Sequence, residues 1–295
     1  MRPAAWLVDL SLIAVAFIWG STFVIVKDAL SDVSTLLFLT LRFAAATAAL
    51  ALLFRRRLNL AALRSAGRGA MLAGVLLFTG YVLQTAGLRH TSPAKAGFIT
   101  GLYVPFVPLL NVAIFRRLPQ PAELIGTALA FAGFVLMTAQ REIFRVGPGD
   151  LLVAGCAVAY ALHTIVLGKI APSADPGLLT LLQIATGAAL GAASFWWLEP
   201  VRLTWSSGVL FALAVTSLLA TALAFWVQTW AQGYSSPTRI ALIFTLEPVF
   251  AWLTSYLFTG ETLSRRGTGG AILILAGILA VELRPTRRED HLATP

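Results

Sequence analysis

Apolar runs of roughly 20 residues follow one another along almost the whole chain, and that is the helical length needed to cross about 30 Å of hydrocarbon. The 295 residues are 58% hydrophobic and 12% charged, and mean hydropathy is +0.82. Such a balance excludes an ordinary soluble domain and predicts a polytopic membrane protein. Ten spans are expected, at about 8–27, 32–54, 67–88, 93–115, 121–140, 149–169, 176–198, 206–232, 237–259 and 265–284. Arg2 and the apolar stretch after it resemble a signal peptide, but Asp9 interrupts the start and the run continues through Trp19, so a retained first helix is expected. Pro93, Pro121 and Pro237 fall near helix starts, where a missing N–H costs little, and Ser92 and Ser236 precede two of them as N-caps.

The second constraint is a duplication. Displaced by 144 positions, the sequence overlies itself without a gap. Gln84-Thr85 falls on Gln228-Thr229, Ser92-Pro93 on Ser236-Pro237, Ile99 on Ile243 and Phe106 on Phe250. Further along, Gly126 and Gly133 fall on Gly270 and Gly277. Each half holds five spans. Five is odd, so the second half enters the membrane from the opposite side. The predicted fold class is therefore all-α: ten transmembrane helices as two inverted five-helix repeats. The repeats take residues 1–143 and 148–284, with a cytoplasmic tail at 285–295. Inverted repeats suit alternating access, because they put equivalent surfaces on the two sides of the membrane.

The formal net charge of +9 is read as topology rather than as a nucleic-acid site. With the N-terminus inside, the inner side receives thirteen Lys and Arg and the outer side eight, and Arg55-Arg56-Arg57 and the basic tail sit inside. Both termini are then cytoplasmic, the location is the cell membrane, and the basic clusters face anionic lipid. A single cysteine, Cys156, excludes a disulfide within the chain. His90, His163 and His291 are too scattered for a metal cluster. No metal or cofactor is expected.

Several marks together resemble the drug/metabolite transporter superfamily, in its ten-helix EamA-type branch. In the first half they are Phe17-Ile18-Trp19-Gly20-Ser21-Thr22-Phe23, Leu41-Arg42-Phe43, and Thr91-Ser92-Pro93 running on to Tyr103-Val104-Pro105 and Pro108. In the second they are Ser236-Pro237, Leu246-Glu247-Pro248-Val249, Gly260-Glu261 and Gly270 to Gly277. One departure is visible: Arg116-Arg117 stands where the second half has Gly260-Glu261. The resemblance implies a carrier. Such proteins include bacterial exporters of amino acids and other metabolites, and distant relatives that carry sugar phosphates and nucleotide sugars. It also implies that the glycine-bearing fifth and tenth helices contribute to packing within each half, by small faces that let helices approach closely.

Trp19, Arg42, Tyr103 and Glu247 each lie ten or eleven residues into a span, about 15 Å deep and near mid-membrane. A charge there costs about 2.5–3.5 kcal/mol or more on insertion scales, so Arg42 and Glu247 must find water or a partner. They are expected to line a central hydrated cavity, either contacting substrate or holding the halves together. Tyr103 and Glu247 are equivalent under the repeat, and that broken symmetry points to selectivity. Trp19 either stacks on substrate or packs as an ordinary aromatic. Asn111, His163, Gln183 and Trp226 are further substrate-binding candidates; His163 either relays protons or is hydrogen-bonded and silent. Gln84 and Gln228 read as gate residues or as interhelical glue. Lys95 and Arg239 are expected to snorkel to headgroups.

The function expected is a secondary carrier moving a small metabolite, an amino acid or related amphipathic compound, outward across the cytoplasmic membrane. Its partners are substrate, the bilayer and protons as a candidate coupling ion, and its state is a monomer or homodimer. The sequence contains no G-x-x-x-x-G-K-[ST] motif, no H-E-x-x-H and no G-x-S-x-G, which argues against an ATPase or an enzyme. A non-transporting sensor or assembly subunit is the alternative, followed by an intramembrane enzyme.

Overall fold

The computed structural model describes residues 3–57, 60–91, 93–116, 121–138, 147–247, 249–250, 253 and 265–282. Ser92, Pro248, the Gly260-Glu261 turn and the tail at 285–295 lie outside the described residues. Ten helices run in chain order. They are α1 (Ala5–Ala29), α2 (Thr35–Phe54), α3 (Leu60–His90), α4 (Pro93–Thr100 and Tyr103–Phe115) and α5 (Pro121–Thr138), then α6 (Pro148–Ile170), α7 (Pro176–Leu198), α8 (Ser207–Gln232), α9 (Pro237–Leu246) and α10 (Arg265–Glu282). Six of them, α1, α2, α3, α6, α7 and α8, are long and apolar enough to cross a membrane.

Local chemistry sets the starts. Proline opens α4, α5, α6, α7 and α9, at the position where its absent N–H forfeits no helical bond. The Ser236 hydroxyl accepts from Arg239 N–H at 3.2 Å, the Asp175 carboxylate from Leu178 N–H at 3.0 Å, and Ser206 from Val209 N–H at 3.2 Å. Each satisfies a donor that a helix end leaves unpaired.

Four spans that the sequence presents as continuous are interrupted. α1 breaks at Ser21, and α4 breaks at Gly101-Leu102. α8 contains a π-helical turn at Leu218–Leu223, and α9 tightens to a 3₁₀ turn at Phe244–Leu246. The breaks in α4 and α9 fall at repeat-equivalent positions. Irregular backbone at membrane depth is tolerated where it is enclosed by protein or lines a cavity, and all four interruptions lie next to one.

The inversion is legible in the helix crossings. A Cβ built on Gly133 of α5 would lie 2.5 Å from the Gly270 carbonyl oxygen of α10, and one on Gly277 would lie 2.6 Å from the Gly126 carbonyl oxygen. Residues later in α5 thus meet residues earlier in α10, so the two helices are antiparallel. Exchanging the halves reproduces the same pairs, which is the signature of a two-fold axis. α2 and α7 cross likewise: Thr40 faces Gly191, Phe43 faces Gly187 and Phe54 faces Gly177. The glycine faces therefore join the halves to each other. This corrects the expectation of packing within each half, and it arises because backbone-to-backbone contact is closest where the two-fold brings equivalent helices together.

The buried core follows the same interleaving. One cluster joins Phe38, Phe43 and Leu77 to Ile184 and Val209; another joins Leu12 and Val104 to Ala161 and Ile240. Among the described residues, each buried cluster draws on both halves. Replacing Gly133 by Leu should therefore cost about 1–3 kcal/mol through overpacking against backbone that cannot yield. Gly67, with nothing within 4 Å of a built Cβ, should accept Ala with a gain of about 0.5–1 kcal/mol. Thermal unfolding in detergent checks both, and equal midpoints for the two variants would contradict the reading.

Candidate functional site

The interruptions converge on one cavity between the repeats. Its eighteen lining residues come from α1, α2, α3 and α4 of the first half and from α6, α8 and α9 of the second. They surround about 740 Å³ of empty space, open solvent at the mouth included. Seven of the eighteen are Trp, Tyr or Phe, and the charged ones are Arg42 and Glu247. Ten fall into five repeat-equivalent pairs: Trp19 with His163, Tyr81 with Phe225, Gln84 with Gln228, Thr100 with Phe244, and Tyr103 with Glu247. The cavity thus sits on the two-fold, with its two walls built from the same positions and different chemistry.

Arg42 is 4% exposed. Its Nε donates to Thr221 Oγ1 at 2.7 Å and its Nη2 to the Tyr81 hydroxyl at 3.0 Å, and its guanidinium carbon lies 4.5 Å from the centre of the Tyr81 ring. Hydrogen bonds plus the ring face hold the charge away from bulk water. Thr221 belongs to the π turn of α8. The adjoining Ala220 carbonyl, in the same turn, accepts from Trp19 Nε1 at 2.9 Å. One irregular turn of the second half therefore fixes both Arg42 and Trp19 of the first. π turns leave backbone groups and side chains in positions that a regular helix does not offer. The Trp19 ring packs between Phe225 at 5.2 Å and Phe244 at 4.9 Å, so it is both a packed aromatic and a cavity wall.

Glu247 follows the 3₁₀ turn of α9 and faces the same cavity as Arg42. Among the described residues no ion pair joins them. Tyr103, the repeat partner of Glu247, is buried and lines the same cavity. Gln84 Nε2 donates to Thr100 Oγ1 at 3.1 Å, and the Tyr160 hydroxyl donates to Gln84 Oε1 at 3.4 Å. His163 lines the cavity while its Nε2 meets Gln183 Oε1 at 2.8 Å; Gln183 Nε2 in turn donates to Thr229 Oγ1 at 2.9 Å.

Of the substrate-binding candidates, Trp19, Arg42, Tyr103, His163 and Glu247 share the cavity, together with Gln84 and Gln228. Asn111, Gln183 and Trp226 do not line it. Gln183 stands behind His163, and Trp226 packs edge-on against Phe54, with ring centres 5.7 Å apart. Trp226 is one residue from Phe225, and one residue on a helix turns the side chain about 100° away. Arg239 is also corrected: instead of reaching for headgroups, its Nη2 donates to Asp9 Oδ2 at 2.8 Å. The Lys95 side chain lies outside the described residues.

Sequence reasoning missed Tyr81, Tyr160, Phe225 and Phe244, which are ordinary aromatics in apolar runs. The repeat carried a usable signal, since Tyr81 and Phe225 occupy equivalent positions in helices already singled out. It also counted Lys27 and Arg89 only as loop charges. Lys27 Nζ donates to the carbonyls of Leu88, Arg89 and Thr91. Arg89 donates to Thr35 Oγ1 at 2.6 Å and to the Leu30 and Val33 carbonyls at 3.0 and 2.6 Å. Beside them the halves are stitched by Ser34 N–H to Arg202 O at 2.9 Å, Thr204 N–H to Asp32 O at 2.8 Å and Leu36 N–H to Glu199 Oε1. The opposite end of the bundle carries the ion pairs Arg57–Asp175 at 3.1 Å and Arg239–Asp9 at 2.8 Å.

Removing the Thr221 hydroxyl tests the Arg42 cradle. Thr221→Val leaves Arg42 Nε buried without its acceptor and should cost about 1–3 kcal/mol, whereas Thr47→Val, a hydroxyl bonded to its own helix, should cost clearly less. Thermal unfolding of the two variants side by side measures the difference.

The EamA-like transporter family model matches residues 6–139 and 147–283. An uncharacterized transporter of Archaeoglobus fulgidus is 31% identical over 276 residues, covering 94% of this chain and 86% of its own. The uncharacterized inner membrane transporter YedA of Escherichia coli is 23% identical, covering 86% and 84%. A solved crystal structure superposes with a TM-score of 0.78 at 19% identity, over 94% of this chain and 97% of that one, and shows the same fold. With one family match on each repeat and a cavity between them, the chain belongs to the EamA-like transporters of the drug/metabolite transporter superfamily and is a multi-pass membrane transporter.

Proposed function

We propose that the chain is a secondary carrier for a small zwitterion, an amino acid or a related amphipathic compound, exported across the cytoplasmic membrane by alternating access. The observation that carries the cargo class is that the Arg42 guanidinium and the Glu247 carboxyl group face one cavity and, among the described residues, are not paired with each other. A guanidinium receives a carboxylate, a carboxylate receives an ammonium, and the aromatic walls cover the apolar remainder. The two repeats, 1–143 and 148–284, rock about this site. The charge bias of the loops supports a cytoplasmic location for both termini. Export is the direction that the family resemblance favours.

Counterflow into proteoliposomes with labelled amino acids, other metabolites and cationic drugs tests the cargo class without knowledge of a coupling ion. Saturable flux of zwitterions is expected; flux confined to cations or sugar phosphates would refute the class. Glu247→Gln should preserve yield and unfolding temperature while lowering counterflow about tenfold or more, the loss of one charged hydrogen bond. Undiminished flux in that variant would remove Glu247 from the mechanism. For orientation, green fluorescent protein fused after Pro295 should fluoresce, and an alkaline phosphatase fusion at the same point should stay inactive.

A further inference from the structure

The repeat supplies an internal control for one cavity residue. Gln84 and Gln228 occupy equivalent positions in α3 and α8, and both line the cavity. Gln84 is provided for: Thr100 accepts from its Nε2, and Tyr160 donates to its Oε1. The position equivalent to Thr100 holds Phe244, and the one equivalent to Tyr160 holds Ala16. Neither side chain forms a hydrogen bond. Gln228 is 3% exposed, and its Oε1 has no hydrogen-bond partner among the described residues.

A buried amide oxygen without a partner is costly, and an apolar residue of similar size avoids that cost. The chain keeps the amide on the wall that also carries Glu247, and removes both groups that would occupy it. From this placement, which rests on the carrier reading above, we infer that Gln228 binds a hydroxyl or amide on the uncharged part of the cargo. The site thereby prefers hydrogen-bonding zwitterions to their apolar isosteres. A hydroxyl or amide both donates and accepts, so either orientation of the Gln228 amide is served. The preference follows from desolvation: an apolar isostere leaves Gln228 buried and unused, which is how sites built around a hydrogen bond reject analogues that lack it. Gln84, already paired on the other wall, is not available for this role.

The experiment compares wild type, Gln228→Leu and Gln84→Leu in two readouts. The first is the unfolding temperature of the cargo-free protein in detergent. Gln228→Leu should match or exceed wild type, because it deletes an unpaired group, while Gln84→Leu should fall below it. A fall in Gln228→Leu equal to that in Gln84→Leu would mean that Gln228 has a structural partner, and would overturn the proposal. The second readout is counterflow of matched pairs, tyrosine against phenylalanine and threonine against valine. Wild type should favour the hydroxylated member by about tenfold or more. Gln228→Leu should abolish that preference, read as the ratio of the two members' fluxes within the variant. A wild-type preference that persists in Gln228→Leu, or no preference at all alongside active flux, would also overturn the proposal and leave the carrier reading intact. If wild type moves none of these zwitterions, the cargo class and the proposed hydroxyl preference both fail, whereas the unfolding comparison still decides whether the amide is unpaired.

Discussion

Backbone-to-backbone contact between antiparallel helices is what the remainder of this structure depends on. Within lipid there is no gain from moving leucine out of water, so helices adhere through close packing and through polar contacts. At the α5–α10 crossing, Gly133 meets the carbonyl of Gly270 and Gly277 meets that of Gly126. At the α2–α7 crossing, Phe43 fills the space over Gly187. In that second pair the two-fold relates a phenylalanine to a glycine, so one repeat supplies the knob and the other the hole. The crossings fix the halves closely enough for a cavity to form between the remaining helices.

The cavity then depends on departures from regular helix. A regular α-helix satisfies its own carbonyls and offers little to a neighbour. The π turn of α8 offers the Ala220 carbonyl to Trp19 and the Thr221 hydroxyl to Arg42. The breaks at Gly101-Leu102 and at Phe244–Leu246 immediately precede Tyr103 and Glu247, which line the cavity. Symmetric scaffold and asymmetric chemistry are therefore separable. The α5–α10 crossing comes from positions that match under the repeat, whereas the cavity's chemistry comes from positions that match in place but differ in residue.

Much of this is visible before any coordinates. Hydropathy gives the spans, the odd number of spans per repeat gives the inversion, and mid-span depth selects Trp19, Arg42, Tyr103 and Glu247, which share a cavity. What the sequence hides is rotation about each helix axis. Trp226 and Phe225 are neighbours in sequence with similar character, yet only Phe225 reaches the cavity. The π turn between Ser217 and Ala224 adds to the difficulty, because it shifts the phase of every later residue in α8. Asn111 is polar, and polarity does not say which way a side chain points. Gly126 and Gly133 likewise read as a packing face, but a small face does not name what it touches, and their contacts lie in the other half.

The two ends of the bundle are held by different kinds of contact. Near Leu88, Lys27 and Arg89 bind backbone carbonyls, and main-chain bonds such as Ser34 to Arg202 cross between the halves. At the opposite end, Arg57–Asp175 is largely exposed and Arg239–Asp9 largely enclosed. Exposed ion pairs weaken as salt rises, whereas short bonds to buried carbonyls are screened much less. For a carrier that alternates as proposed, opening one end is thus not the energetic mirror of opening the other. The empty protein then rests unequally between its two states, and the half-saturating concentration differs on the two faces by the ratio of those populations. Net direction is untouched by this imbalance, because gradients alone set it; what the unequal ends determine is from which side the protein responds to scarce cargo.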